Sequence, residues 1–86
     1  MKINKNDMIE LKTFELNNDA VGSIYISKVT DCVINKKHTS GVQYKMSWSE
    51  KFAWITIFLQ GGHMYITNTE DYARELIKLI SGEEVW

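Results

Sequence analysis

Apolar positions recur at every second residue through most of this chain and switch to a helical repeat near its end. Val42, Tyr44, Met46 and Trp48 alternate with Gln43, Lys45 and Ser47, which predicts a strand with one wet face. After a turn at Ser49-Glu50-Lys51, the segment Ala53 to Gln60 is apolar on both faces and predicts a central strand. Gly61-Gly62 then predicts a two-residue hairpin loop with positive φ at both glycines. Counting outward from it, Gln60 opposes His63, Leu59 opposes Met64, Phe58 opposes Tyr65, Ile57 opposes Ile66 and Thr56 opposes Thr67. That register collects the aliphatic pairs on one face and Trp54, Phe58 and Tyr65 on the other.

Upstream, the pattern predicts two further strands. In Met8 to Leu16, Ile9 and Leu11 share one parity while Phe14 and Leu16 take the other, which implies a bulge near Thr13. Asn17-Asn18-Asp19 supplies a turn, and the β-branched run Val21 to Ile34 forms one long bent strand. Asn35 to Gly41 is polar and reads as an exposed loop.

Downstream, Tyr72, Ala73, Leu76, Ile77, Leu79 and Ile80 form a helical apolar stripe. Thr67 with Glu70, or Asn68 with Asp71, has the spacing of a helix cap. Glu70 and Asp71 favour the positive end of the helix dipole, and Gly82 supplies a left-handed stop. Together these elements predict an α+β fold: an antiparallel five-stranded meander, as a twisted sheet or small partly open barrel, with one C-terminal α-helix packed on one face.

That architecture leaves a face to account for. A helix of about eleven residues is roughly 16 Å long and covers a single side of the sheet. The side bearing Trp54, Phe58 and Tyr65 either curls onto Phe14, Leu16 or Tyr25, or stays open to a partner.

Composition narrows the picture further. A chain of 86 residues with 44% apolar and 24% charged content makes a single small domain spanning 1–86, with 1–7 as a flexible lead-in and 83–86 as a tail after the helix. There is no proline, so every residue after the first can donate to a backbone ladder. The N-terminal residues lack a signal-peptide apolar core and no stretch is long enough to span a bilayer, so the expected location is cytoplasmic. Nine lysines against one arginine, with frequent isoleucine and asparagine, suggest AT-rich coding and hence a low-GC bacterium or one of its phages.

Charge and chemistry point away from catalysis. A net charge of −1 is not that of a strongly basic nucleic-acid binder, although Lys28 to Lys51 carries five lysines against Asp31 and Glu50. Cys32, His38 and His63 lack metal-ligand spacing, and Asp31, Cys32 and His38 form a nucleophile set only if the loop folds back. Gly61-Gly62 joins two strands rather than a strand and a helix, which argues against a phosphate cradle. No catalytic residue, metal or cofactor is expected.

The leading expectation is a non-enzymatic protein-binding module, of the kind used as a phage or mobile-element accessory or inhibitor protein. It would engage its partner through Trp54, Phe58, Tyr65 and the terminal Trp86, or through an unpaired strand edge, and form a homodimer. An alternative is a nucleic-acid or nucleotide binder that uses Lys36, Lys37, His38, Lys45 and Lys51 for charge and Tyr44 and Trp48 for stacking. A third is small-molecule sequestration at a dimer interface.

Overall fold

The computed structural model describes residues 7–47 and 51–81, together with the backbone of Lys2–Ile3. Its elements are strands β1 (Lys2–Ile3), β2 (Met8–Asn18), β3 (Ile24–Asn35), β4 (Thr39–Met46), β5 (Ala53–Leu59) and β6 (Gly62–Asn68), followed by helix α1 (Glu70–Ser81). The fold is α+β with antiparallel pairing throughout, but the strands do not form one meander or a barrel. They make two sheets, β1-β2-β3 and β4-β5-β6.

The break falls where the sequence suggests a plain loop. Lys36–His38 is a single 3₁₀ turn, held by Asn35 Oδ1 accepting from the Lys37 amide and by Thr39 Oγ1 donating to the Asn35 carbonyl. Such side-chain bonds compete with a ladder and turn the chain out of its sheet. The corner is pinned from two sides: the Lys36 amide donates to the Asp7 carbonyl at 2.9 Å, and the Gln60 amide donates to the His38 carbonyl at 2.9 Å.

The two sheets meet at the outer edge of β2. The Thr67 amide donates to Thr13 Oγ1, and Asn68 Nδ2 donates to the Lys12 carbonyl at 2.7 Å. The odd positions of β2 turn Ile9 and Leu11 toward the core, with Ile34 and the half-buried Cys32 opposite them on β3. That core is completed by Ile55, Ile57, Ile66, Ala73 and Leu76. The even positions bury at the other end, where Phe14 packs edge-on against Phe52 with ring centroids 6.1 Å apart. The parity switch that suggests a bulge near Thr13 is therefore a change of which face is covered as β2 passes the end of β6. The irregularity itself lies between Glu15 and Leu16, where Ser27 of β3 is left over and its hydroxyl donates to the Glu15 carbonyl.

Three local expectations are corrected. The β2–β3 turn is built on Asp19, whose Oδ1 accepts from the amides of Val21 and Ser23, with Gly22 at φ 84°. The β5–β6 turn is Gln60-Gly61, so Leu59 opposes Gly62 and Phe58 opposes His63. Of its two glycines, Gly62 alone has positive φ, at 158°. The helix is capped by Thr69, whose hydroxyl accepts from the Tyr72 amide and whose carbonyl accepts from Ala73. Gly82, the expected stop, lies outside the described residues.

Candidate functional site

Helix α1 packs on β4 and β5 from one side and buries Ala73 and Leu76 against that sheet's inner face. The strand pleat then decides the other side. Residues paired as Lys45↔Trp54↔Thr67, Gln43↔Thr56↔Tyr65 and Gly41↔Phe58↔His63 form three cross-strand rows that point away from the helix. Among the described residues the far end of the β2–β3 hairpin approaches this face beside Trp54, and Thr13 of β2 meets it at the Thr67 amide. Tyr65 is 69% exposed and Trp54 46%, in a domain too small to leave large apolar side chains in water without cost.

The aromatic groups on this face are organised. His63 meets Tyr65 edge-on with ring centroids 5.1 Å apart, and Phe58 tilts toward His63 at 6.4 Å. Phe58 is half-buried in this cluster and its ring lies 4.0 Å from where a Cβ on Gly41 would stand. Trp54 sits two residues along β5 from Thr56, beside Lys45, and borders a groove of about 260 Å³ shared with Leu16, Asn17, Asn18, Ile24 and Ser47. The expected curling is thus confined to Trp54, which the far end of the β2–β3 hairpin approaches, while Phe14 packs on Phe52 and Tyr25 is exposed.

Of the residues expected to bind a partner, the structure brings Phe58 and Tyr65 together around His63 and keeps Trp54 on the same face. Trp86 lies outside the described residues. The sequence register makes His63 the cross-strand partner of Gln60, but Gln60 Oε1 instead lies 2.6 Å from His38 Nδ1. The alternation of β6 places His63 on the aromatic face, and that signal is present in the sequence.

The lysine-rich set is not gathered. Lys36, Lys37 and His38 form the corner, where Lys37 Nζ reaches Asp7 Oδ2 at 3.5 Å. Lys45 is near the opposite end of β4, and Lys51 lies in the following connection, roughly 20 Å away at the rise of a β-strand. Tyr44 turns inward toward α1; its hydroxyl accepts from Arg74 Nε at 3.3 Å and donates to Glu70 Oε2 at 3.4 Å. Trp48 lies outside the described residues.

A second concave region runs beside β3, a groove of about 420 Å³ lined by Glu10, Leu11, Lys12, Asp31, Cys32, Val33 and Tyr72. Its thiol is a poor nucleophile, because partial burial and, secondarily, Asp31 push the Cys32 pKa up. Burial likewise raises the Tyr72 phenol, against the opposing effect of the Lys12 amide that donates to it. Asp31 bonds Lys12 at 2.7 Å and His38 bonds Gln60, so acid, thiol and base are engaged separately. No cluster of metal-ligating side chains occurs among the described residues, and no helix of the described chain is long and apolar enough to cross a membrane. Compared with known proteins, the chain matches no family model, no curated protein and no solved structure.

Proposed function

We propose that this chain is a non-enzymatic protein-binding module whose recognition surface is the outer face of the β4-β5-β6 sheet. One observation carries the reading: α1 covers one side of that sheet, while on the other Phe58, His63 and Tyr65 cluster and Trp54 shares the face, with Tyr65 69% and Trp54 46% exposed. Large amphipathic rings on a rigid sheet are the side chains that dominate protein–protein recognition, since they bury much area for little lost rotamer freedom. Lys45 is the cation that the strand pleat places on this face, and the other lysines of the Lys36–Lys51 region lie at its two ends. A protein surface with an apolar centre fits this arrangement better than a phosphate backbone, which calls for charge along its whole track. An accessory or inhibitor role follows the same logic: the module acts by occupying a target's surface.

The test is affinity capture with the full chain against a Trp54→Ala/Tyr65→Ala double variant of matched circular dichroism and melting temperature. The wild type is expected to retain a protein that the variant loses. Equal capture by both removes the aromatic face from recognition. A single-stranded oligonucleotide that is shifted at low salt by wild type and not by Lys45→Ala replaces the protein reading with the nucleic-acid one.

A further inference from the structure

Charge on the outer face of the β4-β5-β6 sheet is one-sided. Its three rows of three residues include Lys45 and His63 and no carboxylate. Lys45 is exposed and has no ion-pair partner among the described residues, whereas Lys12 and Lys37 are held by Asp31 and Asp7. Further lysines stand at both ends of the face, Lys36 and Lys37 at the corner and Lys51 in the connection beyond Lys45. The hairpin that approaches beside Trp54 brings two carboxylates, and both are accounted for: Asp19 Oδ1 accepts from the Val21 and Ser23 amides, and Glu15 stands opposite Lys28.

The apolar part of the face is hollowed next to the unpaired cation. Trp54, directly across the ladder from Lys45, borders the groove of about 260 Å³ that it shares with Leu16 and Ile24 of the hairpin. That volume is below the roughly 300–1,000 Å³ of sites that enclose a whole small molecule. It is of a size to seat one anchor side chain of a protein partner.

Resting on the reading of this face as the recognition surface, we infer that its partner is an acidic protein segment: an aliphatic or aromatic side chain fills the Trp54 groove, and a carboxylate beside it bonds Lys45. Covering Lys45 with a neutral or basic surface would strip water from its ammonium group and leave it without a counter-charge. A neighbouring Asp or Glu removes that cost. Nucleic acid also supplies anions, but its phosphates repeat along the whole track, and the middle row of the face, Gln43, Thr56 and Tyr65, offers them no cation.

The test is selection of displayed random peptides on the full chain, with the enriched peptides then measured against Trp54→Ala/Tyr65→Ala and against Lys45→Glu, each of wild-type circular dichroism. The enriched peptides are expected to carry an apolar residue flanked by Asp or Glu and to be lost on the double variant. Their binding is expected to weaken about tenfold on Lys45→Glu, the effect of turning an exposed ion pair into a repulsion, and to weaken with added salt. Because Lys45 is exposed and unpaired, its reversal keeps the fold and reads the charge independently of the aromatic substitutions. Enriched peptides that need the rings but are neutral or basic, or that bind Lys45→Glu as tightly as wild type, overturn the acidic segment and leave the aromatic face as the recognition surface. An absence of enrichment also overturns the acidic segment. Peptides indifferent to the double variant overturn both. Displacement of the peptides at low salt by a single-stranded oligonucleotide whose binding needs Lys45 assigns the face to nucleic acid instead.

Discussion

The backbone amide of Lys12 donates to the hydroxyl of Tyr72 at 3.0 Å, which ties the middle of β2 to the first turn of α1 across sixty positions of sequence. Next to it, the Lys12 carbonyl takes Asn68 Nδ2 at 2.7 Å. The outer edge of β2 is thus satisfied by side chains of the other sheet's last strand and of the helix. These bonds join the two sheets.

Tyr72→Phe keeps the ring and removes that acceptor. The loss is expected to be about 1 kcal/mol, the net value of one hydrogen bond, seen as a melting temperature lower by about 4–8 °C for a domain of this size. An unchanged melting temperature would show that water replaces the phenol at no cost.

Asn68→Ala should cost more, because Asn68 is buried and works at both ends. Its Nδ2 holds β2, and its Oδ1 accepts from the Thr69 amide at 2.8 Å, just ahead of the helix. A loss of about 2–3 kcal/mol is expected, against about 1 kcal/mol for removing the cap in Thr69→Ala. Urea denaturation of the two variants checks the order.

Gly22 and Gly61 should respond oppositely to alanine. At neither glycine does any other part of the chain come within 4 Å of where a methyl group would stand, so backbone conformation decides. Gly22 is at φ 84°, where a Cβ is strained, and Gly22→Ala is expected to destabilise by about 1 kcal/mol. Gly61 is not at positive φ, and Gly61→Ala is expected to stabilise by about 0.4–1 kcal/mol through a less disordered unfolded chain. Thermal melts of the pair decide it.

Stability should decline in mild alkali, and Cys32 should account for part of that. Burial raises its pKa in the folded state, so above the ordinary thiol value the unfolded chain releases a proton that the folded chain keeps. The unfolded state then binds fewer protons, and unfolding becomes easier as pH rises. From about pH 8.5, the ordinary thiol value, the wild-type urea midpoint is expected to fall with pH, and that of Cys32→Ala to fall less. Parallel curves would mean that the thiol contributes nothing to the pH dependence.

The alternation of Val42, Tyr44 and Met46 and the period of Tyr72 to Ile80 are enough to assign strand, helix and buried face, because a side chain's direction is set within two to four residues. The aromatic face is legible for the same reason. The structure slides the β5–β6 register by two residues, from Leu59 opposite Met64 to Leu59 opposite Gly62, and a slide of two preserves parity. Trp54, Phe58 and Tyr65 therefore stay on the expected side although their partners change.

What the pattern could not carry was which strands are neighbours. A 3₁₀ corner at Lys36–His38 separates β3 from β4, and bonds between Lys12 and residues fifty-six and sixty positions away set β2 against β6 and α1. Sequence by itself determined the faces, through local pleat and helical pitch. Only tertiary structure decided the division into two sheets, and with it the open aromatic face and the groove beside Trp54, since both depend on contacts between segments that no local periodicity encodes.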